Sequence, residues 1–144
     1  MTVPISADVE AFLRQPHVAA LSTVRPDGRP HVTPVWYDFD GREFTVSTFR
    51  TSQKLKNVSH KGFAALSIFT QESPYRNVIV QGTARVGSPL DNVWRERVAT
   101  RYLGEHAGRV YAQETADWDV IAIYIRPLRW ACNGFGEELE GATS

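Results

Sequence analysis

With a single cysteine, Cys132, the chain can form neither an internal disulfide nor a multi-cysteine zinc site, and it suits a reducing compartment. Charge of one sign is also missing. Lys and Arg total 16 against 16 Asp and Glu, so no global field holds nucleic acid or an anionic membrane, and any anion must be bound locally. No apolar run reaches the ~18 residues of a membrane span, and Met1 to Ile5 lacks the basic-then-apolar pattern of a secretory signal. A cytoplasmic location is expected. There is no Gly-x-Ser-x-Gly elbow, Walker loop or Cys–His nucleophile pair, which argues against covalent hydrolase chemistry. His17, His31, His60 and His106 show no metal-ligand spacing, so no metal is expected.

What is present is an ordinary globular composition, 42% hydrophobic and 22% charged, enough for a core without staples. A chain of 144 residues fits one domain, expected over residues 1–133, with a Gly- and Glu-rich tail over 134–144 expected to be disordered. Ser6 reads as an N-cap before Val9, Phe12 and Leu13 at helical spacing, and Pro16 stops that helix. Val18–Val24 and His31–Phe39, joined by Arg25-Pro26-Asp27-Gly28-Arg29, read as a hairpin. Glu43–Thr48 alternates as a third strand. Phe63–Thr70 and Val78–Val86 follow, with Gly82 as a bulge or close approach. Leu90, Val93, Trp94, Val98 and Tyr102 suggest one face of a long helix, and Val120–Ile125 a sixth strand ended by Pro127. Six strands with short turns and three helices argue against a parallel doubly wound sheet and leave a closed or nearly closed antiparallel barrel.

The chemistry concentrates in Ser47-Thr48-Phe49-Arg50-Thr51-Ser52-Gln53-Lys54-Leu55-Lys56-Asn57, where a strand ends and a short helix begins. Three cations, four hydroxyls and the free N–H groups of a helix start crowd into eleven residues. Such a corner suits a phosphate. On the residues alone it reads equally well as a solvated basic turn.

Resemblance separates the two. Val18 to Val24, Pro26-Asp-Gly-Arg-Pro30, His31-Val-Thr-Pro-Val-Trp-Tyr37, Asp40-Gly41, Ser52-Gln-Lys54 and Asn57 resemble, in order, the signatures of the pyridoxamine 5'-phosphate oxidase-like split-barrel superfamily. Pro74-Tyr75-Arg76 before Val80-Gln81-Gly82, and Arg101-Tyr102-Leu103-Gly104, resemble its actinobacterial branch that uses coenzyme F420. The resemblance implies a mainly β fold with peripheral helices, a six-stranded antiparallel split barrel of Greek-key type, and a homodimer with cofactor sites at its interface. It implies F420, or alternatively FMN, as cofactor. Ser52 and Lys54 would contact the phosphate, with Arg50 and Lys56 as helpers and Asn57 at the same turn. Thr33, Pro34, Val35 and Trp36 would lie along the tricyclic ring, Thr48 beside the phosphate or ribityl arm, and Tyr75 against the groove. The implied activity is hydride transfer from reduced F420 to an unsaturated small molecule. An FMN-dependent oxidase or reductase and a flavin- or tetrapyrrole-binding carrier are the alternatives.

Among other residues, Tyr37 and Trp130 read as groove lining or core, and Trp94 and Tyr102 as packing. Asp117 and Asp119, flanking Trp118, read as solvating a turn rather than as an acid–base pair.

Overall fold

The computed structural model describes residues 5–136. Helix α1 (Ala7–Arg14) starts where the Ser6 hydroxyl accepts the Val9 N–H at 3.2 Å, and it buries Val9, Phe12 and Leu13. Strands β1 (Ala19–Val24) and β2 (Pro30–Val35) form the expected hairpin, Ala19 opposite Val35 and Val24 opposite Pro30. The run expected as one strand then bends at Trp36 and Tyr37, and its remainder, β3 (Asp38–Phe39), pairs with β4 (Phe44–Phe49). After α2 (Gln53–His60) come β5 (Phe63–Phe69) and the long β6 (Asn77–Pro89). Helices α3 (Asn92–Leu103) and α4 (Glu105–Glu114) precede β7 (Val120–Asn133).

All seven strands pair antiparallel in the order β2-β1-β5-β6-β7-β4-β3. The two ends of that order are consecutive pieces of chain, so the bend at Trp36 and Tyr37 joins the edges of the sheet; no strand pairing closes it. Seven strands replace the six expected because of this bend.

One expectation at the sixth strand position needs correction. Pro127 does not end β7, which continues to Asn133, because the register slips there: Gln81 faces Arg129 while Gly82 faces Pro127. A missing ladder donor is tolerated at such a bulge. A Cβ on Gly82 would lie 2.1 Å from the Arg126 carbonyl, so this position admits only glycine. The core fills the sheet's inner face with Leu21, Val46, Leu66, Ile68, Val80, Ile123 and Ile125, closed by an aromatic group of Tyr37, Phe39, Phe44 and Trp130.

The expected long helix is α3, ending at Gly104, and a further helix, α4, follows it. Gly104, at φ 91°, lets α4 fold back on α3, and a Cβ on Gly108 would fall 2.4 Å from Thr100 Cα, so the helices touch backbone to backbone. The expected stripe holds at Val98, which is buried, and at Tyr102, which packs on Trp36, but not at Val93, which is 77% exposed; α3 also buries Arg95 and Ala99. Gly134 to Gly136 follow β7, and Phe135 packs edge-on against Phe12 at 5.3 Å. The rest of the expected tail, 137–144, lies outside the described residues. Among the described residues no helix is long and apolar enough to cross a membrane.

Candidate functional site

At the end of β4 the chain turns inward and α2 begins. Ser52 caps α2, its Oγ accepting the Leu55 N–H at 3.2 Å and the Thr48 hydroxyl at 2.7 Å. Thr48 is 5% exposed, so this bond fixes both hydroxyls beside the free N–H groups of the helix start. One turn of α2 carries Lys54 into a cavity of about 500 Å³. Pro34, Val35 and Trp36 at the end of β2 form one wall, Ser47 to Phe49 a second. Trp94, Arg95 and Val98 of α3, with Tyr111 and Trp118, form the far wall.

Among the described residues no carboxylate lines this cavity. Burial lowers the pKa of the Lys54 ammonium, and no acid among the described residues offsets it. Trp36 is held as a flat wall: Tyr102 stacks on it at 4.8 Å and 4°. Tyr102 is pinned in turn, its hydroxyl donating to the His17 carbonyl at 2.7 Å and accepting the Tyr37 N–H at 3.1 Å. Arg101 adds a bond to the Tyr37 carbonyl and an ion pair to Asp38 at 3.4 Å, while Arg97 pairs with the same Asp38 at 3.0 Å.

A second cavity, of about 870 Å³, adjoins the first at Val18 and Pro34 and is bounded by His17, Thr33, Phe69 and Arg76. The Thr33 hydroxyl and the Arg76 Nε are buried there with no hydrogen-bond partner among the described residues.

Of the eleven positions expected at the site, Pro34, Val35, Trp36, Thr48 and Lys54 share one cavity, with Ser52 bonded to Thr48. Thr33 faces the adjoining one. Four others stand elsewhere. Asn57 is fully buried, donating to the Thr23 hydroxyl at 3.0 Å and accepting from Gln53 at 2.7 Å, so it ties α2 to β1 and has no face for a ligand. Lys56, two residues and roughly 200° of helix beyond Lys54, is exposed and lines neither cavity. Arg50 is drawn away into a bidentate pair with Asp119 at 2.9 and 3.2 Å. Tyr75 is 69% exposed and outside both cavities. Tyr37 and Trp130 are core residues, not groove lining. The far wall was not foreseen from the sequence: Arg95 lies on α3, Tyr111 on α4, a helix the sequence pattern did not indicate, and Trp118 in the turn between α4 and β7.

The family model for pyridoxamine 5'-phosphate oxidase matches residues 5–132, nearly the whole described chain. The chain belongs to this family. An F420H2-dependent biliverdin reductase from Mycobacterium tuberculosis is 37% identical over 94 residues, 64% of this chain and 66% of that protein, so the chain matches just under two thirds of its relative's length. A solved F420 reductase superposes with a TM-score of 0.72 at 24% identity, over 88% of this chain and 98% of that one. A heme storage protein from Vibrio cholerae gives 0.65 at 14% identity, over 88% and 92%. At these identities the structural neighbours establish the fold, that of the family's split barrels.

Proposed function

We propose that this protein is an F420-dependent oxidoreductase that reduces an unsaturated small molecule. The observation that carries the proposal is the convergence of Pro34, Val35, Trp36, Thr48 and Lys54 on one carboxylate-free cavity at the start of α2. The donor set fits a phosphorylated tricycle. Lys54 is a cation without a counter-ion among the described residues, Ser52 and Thr48 are preset hydroxyls, and the α2 N–H groups add a positive dipole end. A phosphate there would return to Lys54 the stabilisation that burial takes from its charged form.

Reduced F420 supplies the hydride when bound. The chain's own residues bind and orient. Lys54, with Thr48 and Ser52, would hold the phosphate; the outer edge of β2, unpaired in the sheet, would face the ring, and Trp36, braced by Tyr102, would fix its tilt. The apolar part of the lining, Val35, Trp36, Phe49 and Val98, would limit water at the reacting face. No side chain is needed as a nucleophile. The name of the mycobacterial relative supports a linear tetrapyrrole as one acceptor to try. A homodimer in the cytoplasm, with a second subunit completing the groove, belongs to the same proposal: Val18 and Val32 beside Pro34 are 52% and 65% exposed.

Titration of the apo-protein with F420 and with FMN tests the cofactor, and anaerobic mixing with reduced F420 plus biliverdin, an enone or a quinone tests turnover. Submicromolar F420 binding that Lys54→Ala weakens at least ~10-fold is expected, since charge-assisted bonds contribute ~1.5–3 kcal/mol. Equal F420 affinity in wild type and Lys54→Ala would refute the phosphate assignment. Tighter FMN than F420 binding would move the protein to the flavin branch, and binding without oxidation of reduced F420 would make it a carrier.

A further inference from the structure

Arg95 is the one arginine among the described residues that is buried, at 8% exposure. It lines the cavity that holds Lys54. Its Nη1 donates to Asn92 Oδ1 at 3.3 Å and its Nη2 to the Thr115 hydroxyl at 2.5 Å. Both acceptors are neutral. Among the described residues no carboxylate lies within ion-pair distance of it, whereas Arg50, Arg85, Arg97 and Arg101 each hold one. Removing a guanidinium from water without a counter-charge is costly, and two neutral bonds do not offset it. Thr115 does not require the arginine, since its hydroxyl also donates to the Tyr111 carbonyl at 2.8 Å. A buried charge kept in a cavity wall, against its cost, points to a ligand.

We propose that Arg95 is a second anion-binding point of the cavity and receives the carboxylate of a planar, conjugated substrate. The proposal rests on the assignment of the Lys54 corner to the cofactor phosphate. That corner belongs to β4 and α2, while Arg95 projects from α3 on the facing wall, so the two cations serve different anions. The planar part follows from Arg95's neighbours: Trp94, Tyr111 and Trp118 line the same wall, and Tyr111 and Trp118 pack edge to face at 6.1 Å. Arginine's planar fork suits a carboxylate held in two bonds, which an ammonium would not reproduce.

The test uses the full chain and three variants, Arg95→Met, Arg95→Lys and Lys54→Ala, titrated calorimetrically with 2-naphthoate, with its neutral counterpart 2-naphthamide, and separately with F420. Wild type should prefer naphthoate to naphthamide at least ~10-fold, and Arg95→Met should abolish that preference while its F420 affinity stays within about threefold. Arg95→Lys should keep part of the preference. Lys54→Ala should show the converse, weakened F420 binding with the naphthoate preference intact. Thermal unfolding supplies the control: Arg95→Met should melt at or above the wild-type temperature, as removal of an uncompensated buried charge requires. A naphthoate preference unchanged in Arg95→Met, or absent from wild type, overturns the proposal. So does an Arg95→Met loss of F420 affinity matching that of Lys54→Ala, which would hand Arg95 to the cofactor. Failure of Lys54→Ala to weaken F420 binding, with the Arg95 pattern intact, would instead sink the phosphate assignment alone.

Discussion

Two faces of α3 treat the same side chain in opposite ways. Arg97 and Arg101, one turn apart, leave the helix toward Asp38, whose side chain is only 15% exposed, and tie α3 to the bend between β2 and β3. Arg95, roughly 200° around the helix from Arg97, leaves toward the cavity and meets no carboxylate. A paired arginine is structure. A buried one with no carboxylate partner among the described residues carries an unfavourable charge that a bound anion would relieve.

The sharpest way to break this comparison is to remove the structural member. Arg101→Ala strips Asp38 of one partner, the Tyr37 carbonyl of a donor, and the rings of Tyr37 and Tyr102 of a cation at 5.5 and 5.1 Å. A loss of about 2–3 kcal/mol in unfolding free energy is expected from denaturant titration, against none for Arg95→Met. Equal losses in the two variants would mean that both arginines are structural.

A smaller effect should follow from Tyr102→Phe. The ring would still stack on Trp36, but the bonds to the His17 carbonyl and Tyr37 N–H vanish, for a cost of about 1–2 kcal/mol. Because Trp36 would lose its fixed tilt, hydride transfer should slow more than F420 binding weakens, in single-turnover against equilibrium measurements. Loss of stability with an unaltered transfer rate would reduce Tyr102 to packing.

The site divides along the same line in how well it could be foreseen. The α2 corner was legible only in part: its cations and hydroxyls are local in sequence, but they read equally as a solvated turn until the resemblance of Ser52 and Lys54 to a family signature was added, and the cap that Ser52 makes on α2 was not foreseen. Pairing of β1 with β2 followed from turn chemistry between two β-branched runs. The α3–α4 wall was not legible, because hairpin closure depends on Gly104 and Gly108, and glycines inside a polar, weakly periodic stretch read as a loop. Nor could spacing show that Arg50 would be taken by Asp119, 69 residues away, or that Asn57 would face Thr23 across the barrel. Long-range polar pairing leaves no periodic trace in sequence.

Lys54 offers a pH test of the unpaired class. Its folded pKa lies below the usual lysine value through burial, so the penalty on its charged form is fully present below the folded pKa and fades as pH rises toward the unfolded value near ~10.4. Lys54→Met should therefore melt slightly higher than wild type at pH 7, with the gap closing by about pH 10.5 in thermal scans. Saturating F420 should reverse the order at pH 7, since only the wild type gains the phosphate contact. A gap that widens with pH would mean that Lys54 has a hidden acidic partner.

The smallest effect concerns Arg50, which stands between the two classes: beside the phosphate corner, yet paired at the surface with Asp119. The hydrogen bond and the charge of Arg50 lower the Asp119 pKa, so the pair is intact above the ordinary carboxylate range and opens only as pH falls through the folded pKa. Both groups are solvated, so breaking the pair should leave the melting temperature unchanged. Asp119→Asn would free Arg50 to swing toward an anion bound at Lys54. F420 affinity should then rise by less than about fivefold, and the gain should shrink as salt rises from 20 to 200 mM, roughly the range over which exposed charges become screened. Titration at the two ionic strengths checks it. A salt-independent gain would point to a direct bond, and a loss of affinity would mean that the pair itself shapes the corner in which Lys54 sits.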